Sequence, residues 1–367
     1  MLVLLLVLIA GGVAAWYVTE EDEDGGPDAS STAPAARSLT TGLLIARTSD
    51  GSLGSITLLV DDGRRGDLVY LPPGTLVEAP ALGLVPLRET ASISDHELLV
   101  SSVENLFGRR MTIVVDVLPD QLAAAVGPSA PLQVTVPHAV ERRDGDRIET
   151  VFERGLTTVD ADQVSDLLDL PAETDLDRLV RHQAFWDAWL EVIRKEGSRA
   201  LPAESIVGGL RGQIDRVAAR DVGHHILPVG TISGADDLYR VEKSELDLLV
   251  QRVMPGTPTS KERIRVQVLN GTGTPGVAEQ LVGPLVDAGA LVALSGNADN
   301  FGYTTSQIIY YDDVHRADAR RVRQALGLGE IVKSRSRLTV VAVTVVVGTD
   351  FTSRPAGSTS TSQGARS

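Results

Sequence analysis

The sequence has no cysteine at all. Disulfide frameworks, thiolate metal sites and cysteine nucleophiles are therefore excluded. Aromatic residues are scarce at 4%, too few for the stacking platform that single-stranded nucleic acid requires. Positive charge is short as well, with 34 Lys and Arg against 49 Asp and Glu, a net charge of −15. Such a surface repels a phosphate backbone, so no nucleic-acid partner is expected. The H-E-x-x-H, G-x-S-x-G and Walker A patterns are missing. His96, His138, His182 and His315 stand alone. His224 and His225 are adjacent, and in a strand such neighbours point to opposite faces. No metal centre is expected from them.

The 367 residues, 43% of them apolar, allow two domains with real cores plus tails at about 150 residues per domain. Residues Met1 to Val18 carry no charged side chain. As a helix at about 1.5 Å per residue they would cover ~27 Å, the thickness of a thin hydrocarbon core. Trp16 and Tyr17 fall where an interfacial aromatic belt would lie, and the acidic run Glu20–Asp24 follows. The expectation is a single-pass anchor in the cytoplasmic membrane with the bulk of the chain outside. A cleaved signal peptide is the alternative, since Gly12-Val13-Ala14 has the small-x-small form of a cleavage site. Residues 19–40 read as a disordered acidic linker and residues 352–367 as a disordered tail.

Between the tails, apolar runs alternate with helical periodicity. Leu43–Ala46, Ile56–Val60, Leu68–Leu71, Met111–Val117 and Leu132–Val136 read as strands. Helices are expected over 95–107 with Ser94 as N-cap and Gly108 beyond the end, over 120–126, over 175–195 and within 240–254. Interleaved strands and helices make this an α/β domain. After a Pro/Gly linker at 255–262, a second unit reads strand (264–268), helix to Ala288, strand (290–294), strand (306–311), helix (315–326) and strand (338–347), a βαββαβ order. Its first turn contains G-x-G-x-x-G at 271–276, with Asp299 further on. That is the dinucleotide-binding context, but the domain has too few strands, and a tight turn with Pro275 near the helix start explains the glycines equally.

Two segments resemble known families. Residues 41–254 are similar in order to the LytR-CpsA-Psr (LCP) family, best at Asp175-Leu-Asp-Arg178-Leu-Val-Arg181-His-Gln183, which is like the family's D-x-x-R-x-x-R-Q-Q helix start. Ser101–Gly108 with the strand Met111–Asp116, and Ile226-Leu-Pro228 with Tyr239-Arg-Val241, resemble further family segments. Residues 263–351 resemble the LytR C-terminal domain, with V-L-N-G-T-G-x-x-G-x-A at 268–278, Gly296–Asp299 and Val347–Asp350. The resemblance implies an LCP-like α/β domain with a central mixed sheet, followed by the small C-terminal domain. It also implies membrane-anchored transfer of polyprenyl-pyrophosphate-linked glycopolymers to peptidoglycan, commonly with Mg²⁺.

The charged groups of that chemistry are largely missing. The family's S-D-T corresponds to Ser55-Ile56-Thr57, S-I-P-R-D-T to Tyr70-Leu-Pro-Pro73-Gly74-Thr75, and Y-x-R-x-R to Leu167–Pro171. Asp50, Asp61 and Arg64 are candidate substitutes, but their spacing gives no reason to favour them. The reading is a non-catalytic relative, a pseudoenzyme acting in binding, scaffolding or regulation of cell-wall glycopolymer assembly. The alternative is a phosphotransferase working through substitute residues, and Mg²⁺ belongs only to that alternative. Transcriptional attenuation is disfavoured, because an anchored acidic protein has no route to DNA. Residual binding of a lipid phosphate would use Arg178 and Arg181 with Asp175 and Gln183; a polyprenyl-phosphate lipid or envelope proteins are the partners implied. Against it stands a pair of arginines simply bonded to Asp175, Asp177 or other local acids, and that reading leads slightly. The stripe Phe185, Trp186, Trp189, Leu190, Ile193 is expected to be core packing, with a lipid-tunnel wall as the functional alternative.

Overall fold

The computed structural model describes residues 39–80, 82–93, 96–335 and 340–353. The expected anchor, most of the acidic linker, the Ser94 cap and nearly all of the C-terminal tail lie outside them. Among the described residues no helix is long and apolar enough to cross a membrane.

A five-stranded mixed sheet organises the first half. Its order is Val222–Ile226, Gly66–Leu71, Leu53–Asp61, Thr40–Arg47 and Ile113–Val117, with the two outer pairings parallel and the two inner ones antiparallel. The central strands are apolar at nearly every position because both faces are covered. One face (Leu44, Leu59, Leu68, Tyr70) packs under the helix Asp175–Glu196, and the other (Leu43, Ile45, Leu58, Val69) under Glu97–Phe107 and Lys243–Val253. Glu97–Phe107 stops at Gly108, which adopts φ 69° as a left-handed C-cap. A four-stranded sheet (Val229–Ile232, Ala235–Val241, Thr75–Ala79, Gly83–Pro86) and two antiparallel pairs complete this half. Most of these short strands gave no periodic signal in the sequence.

The second unit has five strands rather than four. The extra one, Glu330–Lys333, is short and half exposed and lies on the edge beside Gln307–Tyr310. The order is Ala290–Asn297, Ile264–Asn270, Val343–Val347, Gln307–Tyr310, Glu330–Lys333. The glycine loop before the helix Val277–Asp287 is closed on itself. Asn270 Oδ1 accepts from the Thr272 and Gly273 amides and the Thr272 hydroxyl. Gly271 and Gly273 pack against the rings of Tyr303 and Phe301, and Glu279 stands over the helix start at Gly276. Rings and a carboxylate occupy the positions where a pyrophosphate would approach.

The segment 255–262 is tied down. Ser260 donates through its amide and hydroxyl to Asp247 at 2.7 Å each, and Glu262 accepts from the Thr259 amide and hydroxyl at 2.8 Å. Helix Glu97–Phe107 then packs on Val277–Asp287. The buried Asn105 side chain pairs with both the carbonyl and the amide of Val292, each at 2.9 Å. It thereby extends the edge strand Ala290–Asn297 as a further strand residue would. The buried Arg263 guanidinium donates to the carbonyls of Asn105 and Leu106, satisfying the last turn of Glu97–Phe107.

Candidate functional site

The long helix begins at Asp175 because Thr174 caps it, accepting from the Asp177 amide at 3.1 Å. A second acceptor arrives from another segment: Asp237 Oδ1 takes the Asp175 amide at 3.0 Å. The Tyr239 hydroxyl donates to the same oxygen at 2.8 Å, and its own ionisation is raised by burial and by that bond. Asp237 is the only non-glycine residue with positive φ among those described, at 49°, a backbone state that needs support from its surroundings. The helix start, a natural anion seat, is thus filled by a carboxylate of the chain itself.

Arg178 donates to Asp175 Oδ1 at 2.8 Å, and both side chains keep 13–14% exposure. Asp175 is pushed up by burial, with Asp237 adding to the rise and Arg178 opposing it. Arg181 is only 4% exposed. It donates to the Leu170 carbonyl, and burial followed by the Arg178 charge lowers it to about 10. His182 donates to the Leu168 carbonyl at 3.0 Å and is held neutral by burial, at about 3. These bonds fold the segment Val164–Leu170 back onto the arginines and bring Asp169 between the helix and the strand Leu53–Asp61. A Cβ on Gly54 would stand 2.6 Å from Asp169 Oδ1. Burial raises Asp169 to about 6 against the pull of Arg178 and Arg181.

Two of the positions that lack motif charges lie beside charged groups from other segments. Gly74 stands where the resemblance asks for a carboxylate; a Cβ there would overlap the Asp237 carbonyl and come within 2.9 Å of Arg88 Nη1. Arg88 donates to that carbonyl at 2.9 Å. Ile56 replaces the other acid and is buried in the core, while Asp169 covers the neighbouring Gly54. At the same end of the sheet Arg47 makes a close pair with Asp116, its Nε at 2.8 Å from Oδ1 and Nη2 at 2.8 Å from Oδ2.

Asp175, Arg178 and Arg181 therefore come together, but Gln183 does not join them. It lies on the opposite side of the helix, in a groove with Gln133, Thr135, Val180 and Asp187, because a two-residue step from Arg181 turns about 200°. Asp177 is used by the Thr174 hydroxyl at 2.7 Å. The other substitutes lie elsewhere: Asp50 holds an exposed turn with Thr48 and Ser52, and Asp61 joins Arg216 and Arg220. Arg88, Asp169 and Asp237 were missed because they come from segments far apart in sequence. Asp169 alone had a signal, being the one charged residue inside Leu167–Pro171.

Two of the three carboxylates of the cluster are engaged by groups of the chain itself. Asp175 is bonded to Arg178, Asp237 to an amide and a phenol, and among the described residues no group of three His, Cys, Asp or Glu is arranged to hold a metal. The histidine pair divides between the two faces of its strand as expected. His224 meets the Tyr70 hydroxyl (2.7 Å) and Asp187 (2.9 Å), while His225 meets Asp67 (2.8 Å).

Comparison with known proteins agrees with this architecture. Residues 263–351 match the family model described as LytR cell envelope-related transcriptional attenuator. The chain is also similar to the structure of protein gbs0355 from Streptococcus agalactiae, at 13% identity and TM-score 0.50, over 61% of this chain and 90% of that one. It is similar to a LytR-Csp2A-Psr enzyme from Actinomyces oris, at 14% identity and TM-score 0.48, over 60% and 92%. It is similar too to the LytR-CPS2A-psr family protein YwtF (TagT) with bound octaprenyl pyrophosphate lipid, at 15% identity and TM-score 0.46, over 60% and 91%. No curated protein matches the chain. The class is thus an α/β protein whose residues 263–351 match the LytR cell envelope-related family model. The streptococcal likeness shows a shared fold.

Proposed function

We propose that this protein is a membrane-anchored, extracytoplasmic cell-envelope protein that holds the phosphate end of polyprenyl-linked glycopolymer intermediates without transferring them. The observation that carries the reading is the convergence of Arg88, Arg178 and Arg181 with Asp169, Asp175 and Asp237 at one helix start. That is the helix whose residues resemble the LCP phosphate-binding segment. Arginine suits the task because its planar fork meets phosphate oxygens two at a time. The membership of residues 263–351 in an envelope-related family supports the setting. Native mass spectrometry of protein extracted gently from its own membranes tests the reading. A co-purifying polyprenyl phosphate or pyrophosphate, lost when Arg178 and Arg181 are both changed to Ala, is the expected result. Empty wild-type protein beside a lipid-loaded family member would overturn it.

A second reading, transfer through substitute residues, is favoured by one observation: Arg88 and Asp237 stand at Gly74, where the motif charges are missing. Transfer of a lipid-linked glycopolymer to peptidoglycan by purified protein would establish it. Lipid binding without turnover would support the non-catalytic reading.

A further inference from the structure

A cavity of about 540 Å³ lies in the C-terminal unit where the strand Ile264–Asn270 begins, between the segment Lys261–Arg265, the start of the helix Arg316–Leu326 and Val340–Ala342. Its size is that of a small-molecule site. Three acids line it, and the chain engages each of them. Glu262 accepts from the Thr259 amide and hydroxyl at 2.8 Å, Asp312 accepts from the Val314 amide at 3.2 Å, and Asp318 meets His315 at 2.9 Å. The cations are not closed in the same way. Lys261 and Arg321 have no hydrogen-bond or ion-pair partner among the described residues. Arg265 uses only its Nε, which donates to the Val340 carbonyl at 2.9 Å. In a chain of net charge −15, three cations with unused donors around one cavity stand out. Apolar surface lies beside them, for Val314 is 74% exposed and Val340 50%.

We propose that this cavity binds a monoanionic oxygen group carried on an apolar body, a carboxylate or a phosphodiester. Lys261, Arg265 and Arg321 hold the charge, and Val314 and Val340 cover the chain that bears it. An arginine fork meets either group through two parallel N–H donors, and lysine adds a point charge. The neighbouring carboxylates of Glu262, Asp312 and Asp318 oppose a second negative charge, so one is favoured over two. An inorganic anion would leave the valines in water, and an alkyl chain alone would leave the cations without a partner. The two features together define the ligand class. The site shares no residue with the cluster at Asp175, and the inference does not rest on the phosphate-binding reading.

The test is calorimetric titration of the full chain at pH 7.5 with hexanoate, butyrate, dibutyl phosphate, inorganic phosphate and hexylamine. Binding of hexanoate or dibutyl phosphate is expected. The tighter of the two names the source of the charge, and equal affinity means that the site reads only the charge and the chain; all three results support the proposal. Hexanoate should bind about four- to tenfold more tightly than butyrate, since each buried methylene is worth up to about fourfold. Lys261→Ala with Arg321→Ala, two exposed positions, should weaken hexanoate at least about tenfold. Val314→Ser should keep butyrate binding and bring hexanoate within about twofold of it. Inorganic phosphate or hexylamine binding as tightly as hexanoate overturns the proposal. So do unaltered hexanoate affinity in the double variant and the absence of hexanoate and dibutyl phosphate binding by folded wild type.

Discussion

Asp169 is a carboxylate placed where it is more stable as an acid. Its folded ionisation lies near 6 against 3.8 for the free group, because burial outweighs Arg178 and Arg181. Between those two values the folded state binds more protons than the unfolded one, so stability falls as pH rises from about 4 to about 6 and stays reduced above it. Asp169→Asn keeps the shape and removes the ionisation. The variant is expected to exceed wild type by on the order of 1–3 kcal/mol at pH 7.5 and to match it near pH 4. Urea denaturation at the two pH values measures this, and a variant weaker than wild type at pH 7.5 would contradict the placement. His182 explains why the group stays there. It is neutral by burial and donates to Leu168, so acidification to pH 5 titrates Asp169 without loosening the segment that carries it.

The helix Asp175–Glu196 was legible in the sequence to within a residue, through the motif at its start and its apolar stripe, and the Thr174 cap is what the structure adds. So were the central strands, whose continuous apolar runs fit a sheet covered on both faces. The short strands Thr75–Ala79, Gly83–Pro86, Val222–Ile226 and Val229–Ile232 were not legible. They are only four or five residues long, and Val222–Ile226 and Thr75–Ala79 also take partners distant in sequence, Gly66–Leu71 and Ala235–Val241. The stripe itself had two readings. Phe185, Trp186 and Trp189 form one aromatic cluster with ring centroids 5.0–5.8 Å apart. Trp189 is 0% exposed and donates to Ser129 Oγ at 3.1 Å. That is packed core, not the wall of an open tunnel. Trp189→Ala is expected to cost about 3–5 kcal/mol in a denaturant titration, as loss of a packed aromatic does. A ring lining an open channel would give less than about 1 kcal/mol, since the cost there lacks its cavity component.

At the scale of the whole molecule, the two units identified from sequence meet through groups that only tertiary structure assembles. Asn105 lies in the last turn of its helix, where nothing marks an amide as a strand partner, and Arg263 directly precedes a strand of the second unit while capping a helix of the first. Arg110 adds a contact across the same junction, to Asp287 at 3.7 Å, and also bonds Glu104 at 3.1 Å. Such an interface differs from a flexible tether, because parting the units exposes the Val292 amide and carbonyl and the last carbonyls of the helix at once. The described residues should therefore unfold cooperatively, and scanning calorimetry of wild type should show one transition. Asn105→Leu removes both hydrogen bonds but keeps the side-chain volume, leaving Val292 unpaired at a cost of about 2–4 kcal/mol. Combined with Arg263→Ala it should split the transition in two, the C-terminal unit melting first because its five-stranded core is the smaller. Two transitions already present in wild type would mean that the junction carries little coupling. In that case ligand binding at Arg178 and Arg181 should protect only the first half against heat. With the junction intact, the same ligand should raise the melting of both halves together, and the size of that shared shift measures how firmly the C-terminal domain is held.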